Sequence, residues 1–386
     1  MQLILQIQAL KNSPGGTGLI ILNIDSEKQI FYGFSMKKVI KIIFGIVCVL
    51  VLGFAGLIGY AIWSDYRPDP TTRVFENQNA SVVPNQKSYR LMIWNIGYGG
   101  LSRDMDFFYD GGKQVRPARQ IVEKNISAIQ QFISRQKDID FFLLQEVDQH
   151  SKRSYSMDEV SILSTIFPQY HSSFGKNYDV FFVPVPVFDP LGRVLAGLQT
   201  LSRFEPVSVV RHSFPGNYAW PQGLFMLDRC FLVSRYRLEK KKDLLVINTH
   251  NSAYDDGTLR HRQMAYLRNF LIREYKKGNY VIVGGDWNQC PPGFMPDFEQ
   301  NLVDNENRMD IEKEYLPGWK WAYDEKTPTN RRLVAPYDKK TTLTTVIDFF
   351  LVSPNIDIKQ VHGIYLDFKH SDHHPVKLEI KLKDNV

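Results

Sequence analysis

Cysteine is scarce: the 386 residues hold three, Cys48, Cys230 and Cys290. No two have the short spacing of a zinc site, which excludes a zinc-built framework. Cys48 lies in an apolar run, so at most one disulfide, Cys230–Cys290, is open, against free thiols at both positions. A strong excess of one charge is also missing. The formal net charge is +6, and residues 1–70 hold six Lys/Arg and four Asp/Glu, leaving 41 against 37 for the rest. That near balance gives no strong electrostatic footprint for duplex DNA, though nucleic acid stays a possible partner. There is no internal repeat of fixed period and no low-complexity tract, which excludes a repeat architecture.

Apolar residues are plentiful, at 44% of the chain with 13% aromatic, ample for a large core. One run carries no charge for 22 residues, Ile42 to Trp63, "IIFGIVCVLVLGFAGLIGYAIW". It is long enough to span a hydrocarbon core as a helix. Lys37, Lys38 and Lys41 precede it, while Asp65, Arg67 and Asp69 follow. The Lys/Arg excess places the short N-terminal side in the cytoplasm and the bulk of the chain outside. The run is longer than a usual signal-peptide core and no A-x-A site follows it, so 36–63 reads as an uncleaved signal-anchor. "MKKVIKIIFG" at Met36 has the form of a bacterial start, and 1–35 reads as an extension or a misassigned start. Residues 64–88 are polar and proline-bearing, and read as a linker.

From Tyr89 to the end the pattern is mixed. "YRLMIWNIG", "DIDFFLLQEVD", "NYDVFFVPVPVF", "LAGLQTLSRF", "DRCFLVSRYRL", "KDLLVINTHNS", "YVIVGGDWN", "TVIDFFLVS" and "HHPVKLEIKL" read as strands. Val122, Ile126, Ile129 and Ile133 predict a helix after Pro117, and Met264, Leu267 and Leu271 another, from about Asp256 to a C′ glycine at Gly278. Near-continuous apolar strands predict sheets covered by helices, hence one domain of two packed sheets with helices outside.

The strands end on polar residues. Asn95, Glu146, His250, Asp286 with Asn288, Asp348, and Asp372 with His373 all lie in or beside apolar runs. Each has an ordinary structural reading: a turn at Asn95 or at Asp286–Asn288, a solvated end at Glu146, a backbone-bonded core imidazole at His250. Asp348, between Ile347 and Phe349, resists such a reading, because a buried carboxylate needs a partner. Taken together, four carboxylates, two amides and two imidazoles suit a hard cation such as Mg²⁺ and proton transfer. Metal-assisted hydrolysis of a phosphate ester uses all of these parts.

At these residues the chain resembles the endonuclease/exonuclease/phosphatase superfamily. "MIWNIG", "LLQEVD", "GLQTLSRF", "INTHNS", "VGGDWNQ", "TVIDFFLVS" and "HSDHHPV" are similar to its motifs and stand in its order, from about Tyr89 to Leu382. The resemblance implies an α/β fold for 89–386, a four-layer α/β sandwich of two packed mixed β-sheets flanked by helices. It implies that Glu146 binds Mg²⁺ (Mn²⁺ being the other candidate), with Asn95 beside it and Asp372 contributing to the metal site. Asp286 would orient or deprotonate the attacking water, and Asn288 and His250 would hold the phosphate. His373 would stabilise developing charge or act as acid–base partner, oriented by Asp348. His374 does not occupy the motif's histidine position.

The expected activity is that of a membrane-anchored phosphoesterase acting on a phospholipid or other small phosphate ester. An extracytoplasmic nuclease, a phosphomonoesterase and a binding module without chemistry are the alternatives. The aromatic stretch "DMDFFYDGGKQVRP" is a candidate pocket wall through Phe107, Phe108 and Tyr109, and "FPGNYAWPQGLF" a candidate rim loop. Oligomeric state has no signal in the sequence.

Overall fold

A computed structural model describes residues 17–23, 29–84, 88–239, 242–253, 255–299, 302–306 and 308–383. The chain divides into two compact units, Met1–Trp63 and Ser64–Val386. In the first, β1 (Thr17–Asn23) and β2 (Gln29–Ser35) form an antiparallel hairpin, followed by α1 (Met36–Trp63). Within α1, Lys37–Trp63 is long and apolar enough to cross a membrane, and its side chains are not buried. Most of the expected N-terminal extension, 1–16 and 24–28, lies outside the described residues.

The second unit holds two sheets. Its elements are β3 (Thr71–Glu76), β4 (Tyr89–Asn95), α2 (Arg119–Ser134), β5 (Phe141–Asp148), α3 (Glu159–Ser164), β6 (His171–Val183), β7 (Gly192–Ser202), β8 (Ser208–Ser213), β9 (Cys230–Arg237) and β10 (Asp243–His250). There follow α4 (Thr258–Lys276), β11 (Tyr280–Asp286), β12 (Lys320–Ala322), β13 (Asn330–Arg331), β14 (Thr344–Thr345), β15 (Asp348–Val352), β16 (Ile356–Gly363) and β17 (Val376–Leu382). One sheet runs β12-β15-β11-β10-β9-β8-β3 and the other β16-β17-β4-β5-β7-β6. Each is mixed: β10–β11 and β4–β5 are parallel, and their other neighbours antiparallel.

Side-chain alternation explains the layers. Leu91, Ile93, Phe141 and Leu143 point between the sheets, where they meet Leu244, Val246, Ile282 and Phe350. Met92, Trp94, Phe142 and Leu144 point the other way, under Val122, Ile126, Ile129 and Ile133 of α2 and Leu163 of α3. Leu245, Ile247, Val281 and Val283 face Met264, Leu267 and Leu271 of α4. With both faces covered, these strands read as unbroken apolar runs. The outcome is the expected four-layer α/β sandwich. The second helix ends as foreseen, with Gly278 at φ +81° beyond it.

Three expectations need correction. The stretch read as a linker is partly sheet: Thr71–Glu76 pairs with β8 as an edge strand, and Ala80 and Val83 are buried. A polar, exposed edge strand carries little apolar alternation, so composition hides it. The run "NYDVFFVPVPVF" is strand only as far as Val183, because Pro184 and Pro186 have no amide hydrogen for the ladder. Asp348 begins β15 instead of interrupting it. Cys230 and Cys290 are free and buried, Cys290 with its Sγ 3.2 Å from Thr345 Oγ1.

Candidate active site

The register brings the strand ends together. His250 pairs with Asp286 across the parallel β10–β11 ladder, and Asp286 pairs with Asp348 across the antiparallel β11–β15 ladder. On the facing sheet Asn95 pairs with Gln145, next to Glu146. Asp372 and His373 precede β17, which pairs with β4. A cavity of about 350 Å³ opens there, lined by Glu146, His250, Asp286, Asn288, Asp372 and His373. Asn95 and Asp348 stand directly behind, hydrogen-bonded to that lining. Each sheet contributes four of the eight residues, and two hydrogen bonds among them cross the seam, Asn95–Asp286 and His373–Asp348.

Local backbone explains how these side chains reach the cavity. Gly284 leaves room for its neighbours: a Cβ there would lie 2.6 Å from Phe350 Cδ1 in its own sheet and 2.8 Å from Ile93 Cγ2 in the facing one. Gly285 adopts φ +147°, and a Cβ would meet Thr249 O at 2.0 Å. Asp286 then closes a turn, Oδ1 accepting from Asn288 N at 2.9 Å, while Asn288 takes φ +50°, a region asparagine tolerates. Asn288 Nδ2 donates to Asn251 O at 2.9 Å. A bulge in β5 between Leu144 and Val147 leaves Glu146 at φ +53°. It aims Gln145 at the sheet interface, where Nε2 donates to Asn248 Oδ1 at 2.7 Å, and frees Glu146 to face the cavity.

Asp286 is the hub. Its Oδ2 accepts from Asn95 Nδ2 at 3.0 Å and lies 3.4 Å from His250 Nε2 and 3.9 Å from His373 Nε2. Burial, then the charge of Asp348, pushes its pKa up to about 6. Asn95 Nδ2 also donates to Glu146 Oε1 at 3.3 Å, and its Oδ1 accepts from Gly97 N at 3.0 Å. His373 Nδ1 donates to Asp348 Oδ2 at 2.8 Å. Burial alone would lower the pKa of His373, but Asp348, Asp372 and Asp286 outweigh it and hold the imidazole charged well above its usual range. Asn330 Nδ2 lies 2.9 Å from His373 Nε2; a charged ring donates from both nitrogens, and the amide would serve it with the oxygen turned inward. His250 is held neutral by burial first, then by Arg229 and His373.

Two donor sets bear on a metal. Glu146 and Asp372 line the cavity as an all-oxygen pair, and Asn95 bridges Glu146 and Asp286 through its Nδ2. Burial, with Glu146 adding repulsion, pushes the pKa of Asp372 up to about 7. A buried carboxyl, Asp372, and a half-buried one, Glu146, lining the same cavity fit a divalent cation. Asp286, Asp348 and His373 also have ligand atoms within 4.8 Å of one another. There Nδ1 of His373 is committed to Asp348, which fits an acid–imidazole relay better than a cation.

Several residues were not visible in the sequence. Asn330 comes from a two-residue strand in a proline-bearing loop and had no pattern to mark it. Arg153 stacks 3.7 Å over the Tyr98 ring and pairs with Asp148 at 2.9 Å, forming the cavity floor beside Glu146. Arg229 and Asn177 line the cavity too, and Arg229 Nη1 and Asn177 Nδ2 are buried without a hydrogen-bond partner among the described residues. Arg153 stands beside Lys152 in the sequence, and such a short charge pair gives no sign that one member turns inward. His374 is a packing residue, its Nδ1 donating to Pro328 O at 2.7 Å and its Nε2 accepting from Phe368 N at 3.1 Å. Phe107 and Tyr109 line the cavity as expected; Phe108 packs behind them, against the cluster of Val115 and Tyr178.

A model of the Endonuclease/Exonuclease/phosphatase family matches residues 92–373. The chain belongs to this family. Among solved structures, the family member from Beutenbergia cavernae DSM 12333 is 18% identical, over 77% of this chain and 72% of that one, with a TM-score of 0.49. The family member from Bacteroides vulgatus is 15% identical over 77% and 100%, with a TM-score of 0.48. The human Nocturnin catalytic domain is 16% identical over 78% and 95%, also at 0.48. A comparison with curated proteins gave no match.

Proposed function

We propose that this family member is a divalent-cation-dependent phosphoesterase, hydrolysing a phospholipid or other small phosphate ester by in-line attack of water. The observation that carries the reading is the meeting of a carboxylate hub, Asp286, with an Asp348–His373 pair and an oxygen-rich donor set in one cavity. Glu146 and Asp372 would hold the cation with Asn95 beside them. A bound Mg²⁺ or Mn²⁺ supplies positive charge against the phosphate oxygens. Asp286 orients the water and takes its proton. Asn288 and neutral His250 hold the phosphate, and charged His373 faces the charge that develops on it. Arg229 Nη1 and Asn177 Nδ2, donors without a partner among the described residues, hold a further polar group of the substrate.

Hydrolysis of bis-(p-nitrophenyl) phosphate by the full chain tests this. We expect activity that EDTA abolishes and Mg²⁺ restores, and a Glu146→Gln variant that needs about tenfold or more Mg²⁺ for half-maximal rate. Activity indifferent to EDTA would remove the cation from the account.

α1 anchors the chain, with Lys37, Lys38 and Lys41 on the cytoplasmic side and the catalytic unit outside. Protease added to cells with a permeabilised outer layer should then clip a C-terminal tag. A fully protected tag reverses the orientation.

A further inference from the structure

The β6–β7 hairpin ends in an apolar tip. Beyond Val183 the chain reads "PVPVFDP", in which Val187 is 78% exposed and Phe188 wholly so, with Phe182 and Val185 partly exposed below them. Trp220, 71% exposed, belongs to the neighbouring segment. That segment's helical turn at Gln222–Phe225 is fixed to β6, Tyr178 Oη donating to Phe225 O at 2.9 Å. Single apolar side chains on a surface are ordinary. Here a valine, a phenylalanine and a tryptophan are among the most exposed large apolar side chains of the catalytic unit.

Cations sit at the base of the tip. Lys152 Nζ donates to Pro190 O at 3.0 Å and has no acidic partner among the described residues; Arg116 pairs with Asp189. An apolar tip above basic side chains matches the profile of a lipid–water interface, acyl chains beyond and phosphates at the level of the cations. The same chain carries an apolar helix of membrane-spanning length. The elements that present the tip also wall the cavity: Leu191 follows the tip, and Met226 and Leu227 follow the Phe225 turn.

We propose that the 182–188 tip and Trp220 insert into the bilayer interface and that the substrate is the phosphodiester of a membrane phospholipid. The chemistry rests on the phosphoesterase reading above. Water oxygen bonds to phosphorus, one P–O ester bond breaks, and the water's proton leaves with that alcohol; no co-reactant is consumed. The bilayer supplies the apolar cover that the tip lacks, and it brings headgroups to the level of the cavity.

The test uses the full chain in bilayers of phosphatidylcholine and phosphatidylglycerol, with sphingomyelin added in a parallel set. The variant Val187→Asp/Phe188→Asp is compared with Val187→Leu/Phe188→Trp. Hydrolysis of bilayer lipid should fall at least about tenfold in the first and persist in the second, since burying these two side chains is worth about that factor or more. The rate on bis-(p-nitrophenyl) phosphate should stay within about twofold, neither residue lining the cavity. A fluorophore on Phe188→Cys should be quenched by doxyl lipid. Unchanged lipid hydrolysis in the Asp variant, or an unquenched label, overturns the docking. Cleavage of the soluble diester but of no bilayer lipid overturns the substrate. A wild-type dimer that the Asp variant abolishes assigns the tip to a second copy. Failure of the wild type on the soluble diester refutes the phosphoesterase reading, and the quenching result still decides insertion.

Discussion

Asp286→Asn will lower kcat by about 10²–10⁴-fold while leaving the fold as stable as wild type. The side chain keeps its shape but loses both the charge and one acceptor. Asn95 Nδ2 and Asn288 N each donate to this carboxylate, so an amide nitrogen in either place faces a donor and the water loses its base. Stability moves the other way. Burial and Asp348 push the Asp286 carboxyl up to about 6, so its ionised form opposes folding at neutral pH without metal. The unfavourable charge disappears in the variant and offsets the poorer hydrogen bonding. Melting in EDTA should therefore be no lower than wild type. An Asp286→Asn enzyme with more than about a tenth of the wild-type kcat would remove Asp286 from the proton path.

The second large effect concerns His373 and Asp348, and it is a statement about coupling. His373→Ala should cost about 10²–10⁴-fold in kcat on bis-(p-nitrophenyl) phosphate, because it removes the one imidazole held charged beside the hub. Asp348→Asn should cost a large part of the same factor. Asp348 is wholly buried and 2.8 Å from Nδ1, so it acts mainly through the imidazole it orients and charges, beside the repulsion it exerts on Asp286. In a His373→Ala background, Asp348→Asn should then change kcat by less than about threefold. If the two losses multiplied, Asp348 would have a role independent of His373.

Most of this arrangement was legible because it sits where apolar runs end. The strands of β4, β5, β10 and β11 are buried on both faces, so a polar residue closing such a run stands out. The layers followed from the same runs and from two helices with clear apolar faces. Most edge elements, β6 apart, were not legible. β3 is largely exposed, β16 mostly half-buried, and β13 and β14 are two residues each, so neither periodicity nor length marks them. Asn330, Arg229 and Asn177 reach the cavity from such places or from the flank of a strand whose alternation looks ordinary. Their role depends on what they meet across the fold, which spacing along the chain does not encode.

The seam between the sheets has a mechanical consequence. Four residues of the centre ride on each leaf, and they touch through bonds about 3 Å long, Asn95 to Asp286 and His373 to Asp348. Neither leaf is a workshop alone. Gly284, where the leaves lie too close for a methyl group, and the Gln145–Asn248 clasp fix their relative height. A slip of one leaf against the other by a fraction of a bond length would separate base from acid with every side chain still present.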